Sequence, residues 1–101
     1  MAVESKSASK VLTVLRVLER NFAHGFSAGE LAEATGFSAS DITRFVNTLE
    51  KEGYAERIVE TKRIRPAMRY AKVAVSILAD CDKATERFIE IKTRLSTGIT
   101  Q

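Results

Sequence analysis

The chain has 101 residues, of which 45% are apolar and 29% charged, with a formal net charge of +3. That length suits one domain whose core needs neither disulfide nor metal, and a single cysteine excludes an internal disulfide and a cysteine-built metal site. No apolar run nears the roughly 20 residues that span a bilayer, and Met-Ala-Val-Glu-Ser-Lys has no apolar leader core, so the expected location is the cytoplasm.

Residues 1–8 are expected to form a flexible N-terminus. A first helix is expected from about Ser9, with Val11, Leu12, Val14, Leu15, Val17 and Leu18 as a wide apolar stripe. It should end between Asn21 and His24, where Gly25 can take the left-handed conformation that stops helices. Ser27-Ala-Gly-Glu30 is a capping-box pattern that opens a second short helix, with Leu31, Ala32 and Ala34 facing inward and Gly36 ending it. Ser38-Ala-Ser-Asp41 repeats the signature and opens a third helix, which Gly53 closes. On that helix Ile42, Phe45, Val46 and Leu49 share one face, while Ser40, Thr43, Arg44 and Asn47 share the other. Tyr54 to Val59 reads as a strand, Glu60-Thr-Lys62 as a turn and Arg63-Ile-Arg65 as a second strand closed by Pro66. Tyr54 and Phe37 are expected in the core, and Phe22 and Phe26 over the first loop.

The last segment carries a heptad seam. Tyr70, Ala74, Ile77, Cys81, Ala84, Phe88, Ile91 and Leu95 alternate at spacings of four and three. One amphipathic helix over 67–96, with a flexible tail at 97–101, would present more apolar stripe than a small domain can cover. Pairing with the same helix of a second chain is the simplest cover. Ala74, Ile77, Cys81, Ala84, Phe88, Ile91 and Leu95 are then the interface, with Cys81 a small buried apolar residue. The alternative is a break near Asp80-Cys-Asp82, with Asp82 as an N-cap.

The order helix, helix, turn, helix, strand, strand over 9–66 is that of a winged helix-turn-helix, a mainly helical fold with a two-stranded wing. Lys10-Val-Leu-Thr-Val-Leu-Arg-Val-Leu-Glu19, Phe26-Ser-Ala-Gly-Glu-Leu-Ala-Glu-Ala-Thr-Gly36, Ser40-Asp-Ile-Thr-Arg-Phe45 and Leu49-Glu-Lys-Glu-Gly-Tyr-Ala-Glu-Arg57 resemble the DNA-binding domain of IclR-type transcription regulators. The resemblance covers about sixty residues and implies a double-stranded DNA partner. It does not extend to that family's effector-binding domain, so no small-molecule effector or cofactor is expected. The wing tip here has no glycine, and Ile64-Arg-Pro-Ala67 replaces the family's tyrosine-x-leucine-glycine exit.

The charge is unevenly spread. Residues 25–61 carry seven acids and three bases, net −4, whereas Lys62, Arg63, Arg65, Arg69 and Lys72 follow with no acid among them. The polar face of the third helix is the expected reader of bases, through Ser40, Thr43, Arg44 and Asn47. Ser38, Lys62, Arg63, Arg65 and Arg69 are the expected backbone contacts, with Lys6 and Lys10 as further candidates. Arg44 has a competing reading as a surface pair with Asp41 or Thr48, and Thr43 and Asn47 as plain helix surface. His24, alone in its loop, reads as a polar turn residue. The function expected is a small dimeric repressor-like regulator, of a size that suits a phage or other mobile element. The alternatives are a winged helix that binds protein, favoured by the acidic Glu30, Glu33 and Asp41, and a replication or recombination accessory factor. One histidine, one cysteine and no glycine-rich phosphate loop give no basis for an enzyme.

Overall fold

The computed structural model describes residues 3–99 and falls into two units, one up to Ala71 and one from Lys72 onward. Met1, Ala2, Thr100 and Gln101, which belong to the expected flexible ends, lie outside the described residues.

The first unit is built on three helices: α1 (Lys6–Leu18), α2 (Ala28–Thr35) and α3 (Ala39–Lys51). Helix α1 begins three residues before the expected start because Ser5 caps it, its hydroxyl accepting from the Ala8 N–H at 3.2 Å. The apolar stripe is narrower than the sequence suggests. Val14, Leu15, Val17 and Leu18 are buried, but Leu12 is 55% exposed, because a small core can cover only part of so wide a stripe. Helix α2 has the expected capping box, with Ser27 and Glu30 exchanging both bonds, and Gly36 ends it at φ 76°. Only Leu31 of α2 is fully buried; Ala34 turns outward. Phe37 alone separates Gly36 from Ser38, whose hydroxyl accepts from the Asp41 N–H at 3.2 Å and caps α3. That short turn fixes how α3 leaves α2.

The core lies between the helices and the wing. Ile42, Phe45, Val46 and Leu49 of α3 pack with Val14, Leu15, Val17 and Leu18 of α1 and Leu31 of α2, joined by Ala55 and Ile64. Phe37 closes one edge, its ring edge-on to Phe45 at 5.8 Å. Tyr54 is a correction. It is 43% exposed at the rim and meets Tyr70 edge-on at 6.2 Å, with the Tyr70 hydroxyl donating to Glu19.

The wing is shorter than expected on its first arm and wider than expected as a whole. Strands β1 (Ala55–Arg57) and β2 (Ile64–Pro66) pair antiparallel, with Glu56 opposite Arg65. Phe26 adds a third edge, because its N–H and C=O both bond Ile64 at 2.8 Å. At the tip Lys62 itself takes the left-handed conformation, φ 64°, where the chain lacks glycine.

Helix α4 (Met68–Ile99) carries the second unit. It runs unbroken through Asp80-Cys-Asp82, so the alternative break does not occur, and it extends past Leu95 into the expected tail. Its large apolar residues are exposed: Ile77 57%, Phe88 71%, Ile91 50% and Leu95 64%. Cys81 is likewise exposed in the single chain.

Gly25 is where the backbone tolerates least. Its φ is +69°, and a Cβ there would sit 2.4 Å from the Ile64 carbonyl oxygen that accepts from Phe26. Gly36, at φ +76°, has nothing within 4 Å of the same position. Gly25→Ala should therefore cost about 2 kcal/mol or more and Gly36→Ala about 1 kcal/mol, read as shifts of the urea midpoint at unchanged m-value.

Candidate nucleic-acid interface

Helix α3 presents its polar side because its apolar side is consumed by the core. Ser40, Thr43, Arg44 and Asn47 are all exposed, while Ile42, Phe45, Val46 and Leu49 are all buried. The four exposed side chains differ in how free they are. Ser38 Oγ is committed to the cap and lies 3.3 Å from Ser40 Oγ. The Thr43 hydroxyl donates to the Ala39 carbonyl at 3.1 Å, which leaves its methyl group and oxygen lone pairs outward. Arg44 pairs with Asp41 at 3.0 Å and lies over the Phe45 ring at 5.2 Å. Its side chain is still 67% exposed, so that ion pair is worth no more than about 1 kcal/mol and yields readily. Asn47 makes no side-chain hydrogen bond among the described residues. Lys10 of α1 lies 5.7 Å from the Phe37 ring, which places a cation beside the residue that precedes the α3 cap.

The basic run after the wing tip divides into two kinds of residue. Lys62 at the tip and Arg69 in the first turn of α4 are exposed, without an ion-pair partner among the described residues. The Arg69 guanidinium is the group a Cβ on Gly53 would meet, at 2.7 Å, so it sits at the C-terminal end of α3, where a positive charge suits the helix dipole. Arg63 and Arg65 are instead tied into the fold. Arg63 donates from Nε to the His24 carbonyl at 3.1 Å, and from Nη2 to the Gly25 carbonyl at 2.9 Å and Glu30 at 2.5 Å. This clips the wing to the first loop and to the start of α2. Arg65 pairs with Glu56 across the strands at 2.9 Å and covers the Phe22 ring at 5.4 Å.

These pairings change the meaning of the acidic stretch. Asp41, Glu50, Glu30 and Glu56 each pair with an arginine. Four of the seven acids in 25–61 thus spend their charge locally, which weakens the case for an acidic surface. The Arg63 clip and the third strand edge at Phe26 escape sequence reading, since one rests on backbone carbonyls and the other is a single residue pair without periodicity. The one signal was the pair of opposite charges, Glu30 and Arg63.

Two carboxyls carry the electrostatic mark of this network. The Ser27 N–H bonded to Glu30 at 2.8 Å, together with Arg63, holds the Glu30 carboxyl below its ordinary 4.5. The Met68 N–H at the start of α4, bonded to Glu56 at 2.7 Å, acts with Arg65 to hold Glu56 below 4.5 as well. A carboxyl whose value is lowered by folding stabilises the fold above its unfolded value and loses that contribution as pH falls through the folded one. The urea midpoint should therefore drop as pH falls below about 4.5. Glu56→Gln should lower the midpoint at pH 7 and flatten its decline between about pH 5 and about pH 3.

Comparison with known proteins supplies the family. The IclR helix-turn-helix domain matches residues 7–58. Among solved structures, the crystal structure of Pseudomonas aeruginosa HmgR superposes with a TM-score of 0.64 at 24% identity, over 74% of this chain and 30% of that one. The matched part thus spans less than a third of the length of that chain. No curated protein matches the sequence. With a capped, half-buried α3 and a wing packed behind it, the chain belongs to the IclR helix-turn-helix domain family of DNA-binding transcription regulators.

Proposed function

We propose that the protein is a sequence-specific binder of double-stranded DNA that acts as a homodimer, with occupancy of its site repressing transcription. The observation that carries this reading is the division of α3 into a buried apolar face and an exposed face of hydroxyl, guanidinium and amide groups. Those are the groups that read base edges in a major groove. In this reading Arg44 releases Asp41 and takes a guanine, Thr43 and Asn47 contact neighbouring bases, and the N-terminal turn of α3 with Ser38 and Ser40 meets a phosphate. Lys62 from the wing tip, Arg69 and Lys10 supply backbone contacts. Arg63 and Arg65 hold the wing in place and reach DNA only at its margin. The dimer forms along Ala74, Ile77, Cys81, Ala84, Phe88, Ile91 and Leu95 of α4, whose apolar side chains are exposed in one chain. Two copies then address two half-sites in successive major grooves.

Selection of bound sequences from random duplexes tests binding, specificity and half-site symmetry together. A folded sample that binds no duplex at 50 mM salt would overturn the proposal. Against the selected site, Arg44→Ala should weaken binding about 10- to 100-fold while leaving non-specific binding within about twofold. Lys62→Ala should weaken both alike and lower the salt slope by about 0.9. For assembly, sedimentation should give a dimer for the parent chain and a monomer for Phe88→Glu, because a carboxylate cannot be buried unpaired in an apolar seam.

A further inference from the structure

Resting on the dimer proposed above, the charge pattern of α4 also fixes which way the two helices run. We propose that two copies of α4 pair antiparallel, with Ala74 facing Ile91, Ile77 facing Phe88 and Cys81 facing Ala84 of the other copy. The occupant of the exposed stripe is thus a second copy in one stated register.

Two features favour this arrangement. The first is charge beside the seam. Val73, Asp80, Arg87 and Arg94 precede the seam residues Ala74, Cys81, Phe88 and Leu95, while Leu78, Thr85 and Lys92 follow Ile77, Ala84 and Ile91. In a parallel pair these two flanks face each other with an offset of five residues. Arg87 then meets Lys92 and Asp80 meets Thr85, and the one favourable flank is Val73 beside Leu78. In an antiparallel pair each flank faces its own kind. The register above then sets Asp80 beside Arg87 of the other copy twice, once at each symmetric position. Neither residue has an ion-pair partner among the described residues, whereas Arg94 already pairs with Glu90 at 2.6 Å.

The second feature is bulk. Phe88, Ile91 and Leu95 crowd the C-terminal half of the seam, while the other half holds Ala74, Cys81 and Ala84 with Ile77 as its one large residue. Parallel pairing stacks each residue on its own copy and forces the axes from a close approach at Ala74 to a wide one at Phe88. Antiparallel pairing sets Ile91 of each helix over Ala74 of the other and Phe88 against the smaller Ile77, so Phe88 never meets its own copy, and the pair closes most tightly at Cys81 and Ala84. The opposed helix dipoles add to the same preference.

The full chain tests this through disulfide trapping in a Cys81→Ser background. In the antiparallel register the two copies of residue 74 lie about 25 Å apart along the axis, 17 residues at 1.5 Å each. Ala74→Cys alone and Ile91→Cys alone should therefore give no cross-linked dimer under mild oxidation, while an equimolar mixture of the two should give the mixed dimer. Efficient cross-linking of either single variant with itself would overturn the antiparallel register and leave the dimer standing. A monomeric mass for the parent chain would remove the dimer itself. Asp80→Arg and Arg87→Asp should each weaken dimerisation about tenfold, and the double exchange should restore it. Equal affinities for all four proteins would overturn the Asp80–Arg87 contact.

Discussion

The burial of the apolar side of α3 is the constraint on which the rest depends. Ile42, Phe45, Val46 and Leu49 supply as many buried residues to the core as α1 does, each worth about 1.5–3 kcal/mol of transfer free energy. They meet α1 and α2 at once, so they fix both the position of α3 and its rotation about its own axis. A helix fixed in rotation has no freedom in what it shows to solvent. Ser40, Thr43, Arg44 and Asn47 face outward because the residues between them cannot. The caps set the remaining variable, where the helix starts. Ser38 begins it one residue after Phe37, and Phe37 is itself held edge-on to Phe45. The backbone that carries the outward face is therefore positioned by the core behind it, which is the preorganisation the proposed reading surface requires.

The wing shows how a short basic run divides its labour. Lys62, Arg63, Arg65 and Arg69 look alike in sequence, yet their backbone positions separate them. Arg63 lies next to Ile64, whose N–H and C=O are bonded to Phe26, so its guanidinium falls within reach of the loop carbonyls of His24 and Gly25. Arg65 lies opposite Glu56 in the ladder. The first clips the wing down, and the second is tied through Glu56 to the first N–H of α4. Lys62 and Arg69 have no such cross-strand neighbour and keep their charge in solvent. The difference is one of register, which charge counting along a sequence does not see.

Much of this was legible in the residues. The capping box at Ser27 and Glu30, the Ser38 cap, the left-handed glycines 36 and 53 that end α2 and α3 and the buried quartet of α3 follow from local chemistry that operates within a few residues, whereas α1 already ends at Leu18 and Gly25 serves the close approach to Ile64 instead of stopping that helix. What was not legible depends on contacts distant in sequence. The inward count on α1 and α2 was set too high at Leu12 and Ala34, because hydrophobicity marks what can be buried and only the partner surface decides what is. Tyr54 was placed inside for the same reason, although its ring lies at the rim against Tyr70. The roles expected of Arg63 and Arg65 neglected carbonyls and carboxylates more than eight residues away. In α4 the periodicity gave both the helix and its exposed seam. Its continuity through Asp80 and Asp82 required the structure, since the same two acids suit an N-cap and a solvated turn of helix equally well.

The sparing supply of free cations and the exposed stripe of α4 belong to one design on the proposed reading. With Arg63, Arg65 and Arg57 paired to carboxylates of the same chain, the phosphate contacts proposed for each copy are few: Lys62, Arg69 and Lys10. At about 0.9 counterion released per phosphate contact, a single copy gains little non-specific affinity at physiological salt. Low non-specific affinity is an advantage in a genome crowded with competing sites, provided that specific affinity is recovered otherwise. Linking two readers recovers it, because the second half-site is then engaged at the high effective concentration set by the first. A domain whose arginines are committed to holding its wing needs a partner copy more than one whose arginines are free, and α4 offers that partner a seam of exposed apolar side chains.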